Sequence, residues 1–142
     1  MEKLRILSNN FLRNKFILLN TLLIALLYIG AGINHFWHPV TYNAIIPPYF
    51  PYRPFLVKFT GVVEIVLGIM FLIKGLRKII AILIISMLIV FCTVHIYMIQ
   101  KHGCVTPEVC IPEWLAWVRL FPLQFILIWW TWKSYKWATK VF

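Results

Sequence analysis

The chain has 142 residues, 62% of them hydrophobic and 13% charged, against roughly 45–50% and 25% in soluble domains. That apolar content excludes a disordered chain, and the lack of any period excludes a collagen-like or repeat protein. Lys+Arg 14 against Asp+Glu 4 gives a net charge of +10, but the cations sit in short clusters between long apolar runs. They form no continuous basic patch, which argues against a nucleic-acid partner.

In chain order, the first long apolar run is Phe16–Ile33. Its basic start suits a signal peptide, but Gly30-Ala31-Gly32 leads into Ile33-Asn34-His35 without a small-residue cleavage pattern, so a retained first helix is expected. Asn34–Pro54 follows and holds Pro39, Pro47, Pro48, Pro51 and Pro54 among aromatic and apolar residues. Proline lacks the backbone donor, so this stretch must be irregular or briefly helical, and its apolar content predicts an interfacial lid over the bundle mouth. Further apolar runs occupy Phe55–Ile73, Ile79–Ile99 and Ile111–Trp132. The short turn Lys74–Lys78 makes the second and third an antiparallel pair.

Each run has 18 to 22 residues, and a helix crosses the hydrocarbon of a bilayer in about 20. The runs do not alternate as barrel strands would. The expected fold is all-α, a single four-helix transmembrane bundle filling the chain. Lys3, Arg5, Arg13 and Lys15 precede the first span. Lys74, Arg77 and Lys78 follow the second, and Lys133, Lys136 and Lys140 follow the fourth. By the positive-inside rule both termini are cytoplasmic, with anionic lipid as a partner of the basic face. The expected location is the bacterial cytoplasmic (inner) membrane. Trp129, Trp130, Trp132 and Trp137 mark one interface; Trp37, Tyr49, Tyr52, Trp114 and Trp117 mark the other.

Ionisable groups inside spans cost roughly 2.5–3.5 kcal/mol each near the membrane centre. Here Asn34, His35, Glu64, His95 and Arg119 all fall in the outer half of their spans, whereas Lys58 and Glu113 lie near enough to the surface to snorkel. Gly61, Glu64 and Gly68 share one face of the second span, and Tyr28, Gly32 and His35 one face of the first. Small residues allow close helix contact, so these faces point inward. A buried Glu64–Arg119 pair is expected, because either charge alone would be uncompensated. Two roles stand open: a structural clamp with satisfied histidines, or a polar ligand pocket under the lid made by Asn34, His35, Glu64, His95 and Arg119. The spacing of His35, Glu64 and His95 matches no metal-ligand pattern.

Cys92 lies within the third span and reads as a packing residue. Cys104 and Cys110 lie in the second outer connection, on the oxidising side, and a disulfide between them is expected. It either staples the loop or exchanges with thiols, although redox pairs more usually read C-x-x-C. No phosphate loop, nucleophile elbow or dinucleotide fingerprint is present, and no catalytic residue is assigned.

Gly32-Ile33-Asn34-His35-Phe36, the proline-rich connection with Ile46-Pro47-Pro48, and Gly61-Val62-Val63-Glu64-Ile65-Val66-Leu67-Gly68 together resemble the DoxX-like family of small four-helix membrane proteins. The similarity runs from about Phe16 to Trp132. The resemblance implies an accessory subunit or small component of a membrane redox system, with partner proteins of that system and a quinone as cofactor. Glu64, His95, His35 and Arg119 would then bind or protonate the quinone head group. Other members of the family point elsewhere, to assembly chaperones, and the residues leave open a non-catalytic lipid or small-molecule binder, a transporter-like module, or a homo-oligomeric structural protein. The Cys104–Cys110 loop maps onto no family pattern.

Overall fold

A computed structural model describes the backbone of residues 2–139 and the side chains of residues 12–137. Lys3, Arg5 and Lys140 of the basic clusters lie outside the described side chains. The order is α1 (Glu2–Trp37), α2 (Pro39–Ile45), α3 (Arg53–Met70), a 3-10 turn (Lys74–Leu76), α4 (Arg77–Gln100), a hairpin of β1 (Cys104–Thr106) and β2 (Val109–Cys110), α5 (Glu113–Val118), a π-helical stretch (Arg119–Gln124) and α6 (Phe125–Thr139).

Leu12–Trp37, Lys74–Gln100 and Glu113–Trp137 are long and apolar enough to cross a membrane. Helix α3 falls outside that set: it has 18 residues and carries Arg53, Lys58 and Glu64. The predicted fourth span also differs, because Ile111–Trp132 is not one helix. Phe121 adopts φ −140°, ψ 118° just before Pro122, whose ring and missing N–H interrupt the helical ladder.

Prolines set the other boundaries. Helix α1 stops at Trp37 because the residue before Pro39 is pushed out of the helical region, and Pro39 then opens α2. Helix α2 ends before Pro47-Pro48, so the proline-rich connection is briefly helical, as expected. At the opposite end Arg77 is buried, and its guanidinium donates to Phe71 O at 3.1 Å and Leu72 O at 3.2 Å. It thereby caps carbonyls left open at the end of α3. After α4 the chain turns through Gly103 at φ +83°, where a Cβ would meet Ile111 O at 2.1 Å, so only glycine fits.

Helix α1 packs most extensively on α3, and α4 on α6. The α1–α3 contact is a glycine crossing: a Cβ on Gly32 would lie 2.5 Å from Gly61 O, and one on Gly61 would lie 2.8 Å from His35 Cβ. The buried face of α3 holds Gly61, Glu64 and Gly68, the face their spacing predicts. The apolar core lies toward the basic end, where Ile24, Leu67, Phe71, Ile80, Ile84 and Leu88 meet. At the lid end α2 packs against α1, α3, α4 and β1.

Candidate functional site

Where α2 covers the ends of α1, α3 and α4, the packing leaves a pocket of about 190 Å³. That exceeds the roughly 150 Å³ cavity known to hold a benzene ring. Its roof comes from the lid through Tyr42, Ile45, Ile46 and Phe50, and its walls include Val57 of α3 and Phe91 of α4. Most of the lining is apolar; polar side chains enter at His35, Tyr42, Thr60, Thr93 and His95.

His35 is fixed from three sides. Its Nδ1 donates to Val57 O at 3.0 Å and lies 3.2 Å from Thr60 Oγ1. A carbonyl only accepts, so the Nδ1 proton is assigned by its partner. The ring stacks on Tyr42 at 3.8 Å between centroids. Its Nε2 stands 3.4 Å from Glu64 Oε2, within ion-pair range, while Glu64 Oε2 has no hydrogen bond. With Nδ1–H committed, Nε2 and Oε2 together hold one proton as a neutral pair, or none, leaving a buried carboxylate uncompensated. Only the first arrangement suits a site where Glu64 is 4% exposed and His35 7% exposed.

The expected Glu64–Arg119 pair is therefore replaced by a Glu64–His35 pair. Backbone contact at Gly32 and Gly61 brings α1 within reach of α3, so the side chain opposite Glu64 is His35. Arg119 is half-buried at the junction that packs on α4. It is absent from the pocket wall.

Of the five predicted site residues, His35 and His95 line the pocket. Glu64 stands behind His35, and Asn34 binds the lid rather than the cavity. Asn34 Nδ2 donates to Tyr42 Oη at 2.9 Å, and Asn34 Oδ1 lies 2.9 Å from His38 Nδ1. His95 Nδ1 is buried without a hydrogen-bond partner. Sequence reasoning missed Tyr42 and Thr60, whose signal was weak: an aromatic in the lid and a threonine one turn before Glu64. Among the described residues, no three His, Cys, Asp or Glu side chains converge to hold a metal ion.

Beside the lid, Cys104 and Cys110 face each other across the hairpin with their sulfurs at disulfide distance. Cys92 is free and half-buried, and its thiol donates to Leu88 O at 3.4 Å.

Sequence reasoning also missed a second polar group at the basic end. Asn20 Nδ2 donates to Ser134 Oγ, Trp130 Nε1 donates to Asn20 Oδ1 at 2.7 Å, and Tyr28 Oη lies 3.3 Å from Thr131 Oγ1. The available signal was Asn20-Thr21 within a leucine- and isoleucine-rich run.

Residues 24–135 match a family model described as "Domain of unknown function (DUF8561)". No curated protein and no solved structure matches the chain.

Proposed function

This chain belongs to the DUF8561 family, and we propose that it is an integral membrane protein that binds one small amphiphile in the pocket beneath α2. The observation that carries this reading is a half-open, mostly apolar pocket of about 190 Å³ with two histidines in its wall. In this reading α3 crosses the bilayer alongside the three longer helices. Its turning of Glu64 away from lipid supports that, because the costly charge faces a protein partner. Both termini lie in the cytoplasm of a bacterial cell, and the lid and the Cys104–Cys110 disulfide face the periplasm. The basic turn with Lys74 and Lys78 and the cationic end of α6 support that orientation.

The amphiphile suggested by the DoxX-like resemblance is a quinone, which makes a quinone-linked redox component the second reading. The presence of an ionisable pair, His35 in the pocket wall with Glu64 behind it, favours that reading.

Equilibrium dialysis of decylubiquinone against the protein in lipid nanodiscs tests the binding. Saturable binding at one site per chain is expected, with at least tenfold weakening in Val94→Trp, which fills the cavity. Equal binding by wild type and Val94→Trp would place the quinone elsewhere and overturn the reading. The redox reading further requires Glu64→Gln to lower quinone-dependent turnover in the host membrane while leaving binding intact.

A further inference from the structure

The pocket beneath α2 is half-open, and the residues of its wall differ in how far they are covered. His35 and Val57 are buried, whereas Val90 of α4 is 57% exposed. The hydrogen bond from Thr93 Oγ1 to Val90 O, one turn further along the same edge, is exposed as well. The open side of the pocket therefore runs along α4. Helix α4 lies in a segment long and apolar enough to cross a membrane. Its exposed Ile82, Ile89 and Ile96 recur at helical spacing and form an outward stripe, with Leu83 and Val90 beside it. In a bilayer the mouth opens onto hydrocarbon rather than water.

Depth decides which part of a lipid meets that mouth. Val90 precedes Gln100, the end of α4, by ten residues, or about 15 Å at roughly 1.5 Å per residue. That is half of a hydrocarbon core of roughly 30 Å, so chain ends and not head groups lie at its level. The wall has little to offer a polar group either. Nearly all of its open surface is carbon. His35 Nδ1 donates to Val57 O, and its Nε2 is turned to Glu64. Thr60 Oγ1 donates to Leu56 O, Tyr42 Oη accepts from Asn34 Nδ2, and His95 Nδ1 is buried. Sites that orient a polar ligand converge several free polar groups on it. Water suits this wall no better, because it needs polar partners of its own. A void would forfeit the dispersion contacts of the lining atoms. A hydrocarbon chain restores those contacts and asks for no hydrogen bond.

We propose that the pocket is a lateral port that takes the end of one phospholipid acyl chain, which enters past Val90 while its head group stays outside. This deepens the binding reading and rests on it: the amphiphile is a membrane lipid, and its apolar end occupies the cavity. A space of about 190 Å³, against roughly 150 Å³ for a cavity that holds benzene, takes about six to eight carbons of the chain. Decylubiquinone then binds through its tail.

The test places the full-length protein in nanodiscs with a phosphatidylcholine that carries a photoactivatable diazirine near the tip of one chain. A second preparation uses the isomer with the diazirine beside the ester. Adducts are located by peptide mass spectrometry after irradiation. The tip probe is expected to mark Val57 and Phe91, inside the pocket, at least tenfold more than the ester probe does. Val90→Trp narrows the mouth and should cut that marking at least tenfold, because a tethered chain threads the mouth even at equilibrium. Ile89→Trp, at an exposed neighbour outside the wall, should leave it unchanged. Marking of Ile82 by the surrounding lipid should be equal in all three proteins, which checks that each is folded in the bilayer.

Interior marking by the ester probe instead would put the polar end in the cavity and overturn the proposal. Interior marking that survives Val90→Trp also overturns it, because the entrance then lies elsewhere. If the tip probe marks only outward-facing residues while decylubiquinone still binds and is displaced by Val94→Trp, the acyl-chain port fails and the pocket stands as a site for another molecule. If decylubiquinone binding is insensitive to Val94→Trp as well, the reading of the pocket as a binding site fails, and the port fails with it.

Discussion

At the basic end of the bundle buried polar side chains answer one another; at the lid end some of them are left without a hydrogen bond. Asn20 uses both ends of its amide, on Ser134 and Trp130, and Arg77 closes two carbonyls at the end of α3. Among the described residues, the buried side-chain atoms with no hydrogen bond are Asn43 Oδ1, Glu64 Oε2 and His95 Nδ1. Asn43 belongs to the lid, and the other two stand behind and beside the pocket. The apolar core shares the same bias, lying with the satisfied groups. Satisfied polar contacts between helices fix register and packing. Unsatisfied ones beside a cavity mark a place where the fold alone does not complete the chemistry. On the proposed reading, one half of the molecule serves as scaffold and the other as site.

The strongest test breaks the pair on which the lid end depends. Glu64→Ala leaves His35 Nε2 facing a buried void and should cost about 2–5 kcal/mol of stability, from an unpaired buried nitrogen together with the cavity left by the side chain. The paired replacement His35→Phe with Glu64→Leu removes both polar groups and should recover most of that loss. Reversible unfolding in mixed micelles measures both. If the double variant is as damaged as Glu64→Ala, the contact contributes through something other than mutual compensation, and the contrast between the halves weakens.

The next largest effect tests how the pair is brought together. A Cβ at Gly61 would sit 2.8 Å from His35 Cβ and 3.0 Å from Gly32 O, both parts of a neighbouring helix with little room to yield. Gly61→Ala should therefore cost about 1–3 kcal/mol as overpacking. It should also weaken probe binding, because His35 forms part of the pocket wall. Gly75, where a Cβ would meet nothing within 4 Å, provides the control. Gly75→Ala should leave binding unchanged.

These two tests also show what a sequence reader could and could not see. The i, i+3, i+7 spacing of Gly61, Glu64 and Gly68 identifies an inward face without coordinates, and the proline cluster announces a lid. Which cation or histidine meets Glu64 is another matter. Depth along the chain puts Arg119 level with Glu64 and leaves His35 at the outer end of its run, and only the close approach of Gly32 to Gly61 decides for His35. Composition conceals the break at Phe121 in the same way, because one proline in an apolar run barely alters its hydropathy while still interrupting its hydrogen bonds. Arg77 reads as a topology charge by position, yet it is buried and caps a helix. Periodicity tells which face is buried; it does not tell which helix lies against it.

At the basic end the expected effects are smaller, since each group there has partners that can be lost one at a time. Asn20→Ala removes the bonds to Ser134 and Trp130 together and should cost about 1–2 kcal/mol. Probe affinity at the lid end should not change. A tenfold loss of binding in Asn20→Ala would mean the halves are energetically coupled, and the division into scaffold and site would have to be abandoned.

The smallest effect belongs to Tyr28→Phe, and it is the most discriminating. Tyr28 is 3% exposed and its hydroxyl lies 3.3 Å from Thr131 Oγ1, a contact at the long end of hydrogen-bonding range. Thr131 sits in helix α6, where a threonine hydroxyl can turn back to the carbonyl one turn earlier, so removing the tyrosine oxygen strands nothing. Interhelical bonds of this kind average about 0.6 kcal/mol in membrane proteins, and that is the loss expected in mixed-micelle unfolding. Glu64→Gln, which keeps shape and changes only the capacity to share a proton with His35, should exceed it at the lid end. The reason is that Glu64 Oε2 has no second partner to fall back on. The ordering of these two isosteric changes, rather than their absolute size, measures how differently the two halves treat a buried polar atom.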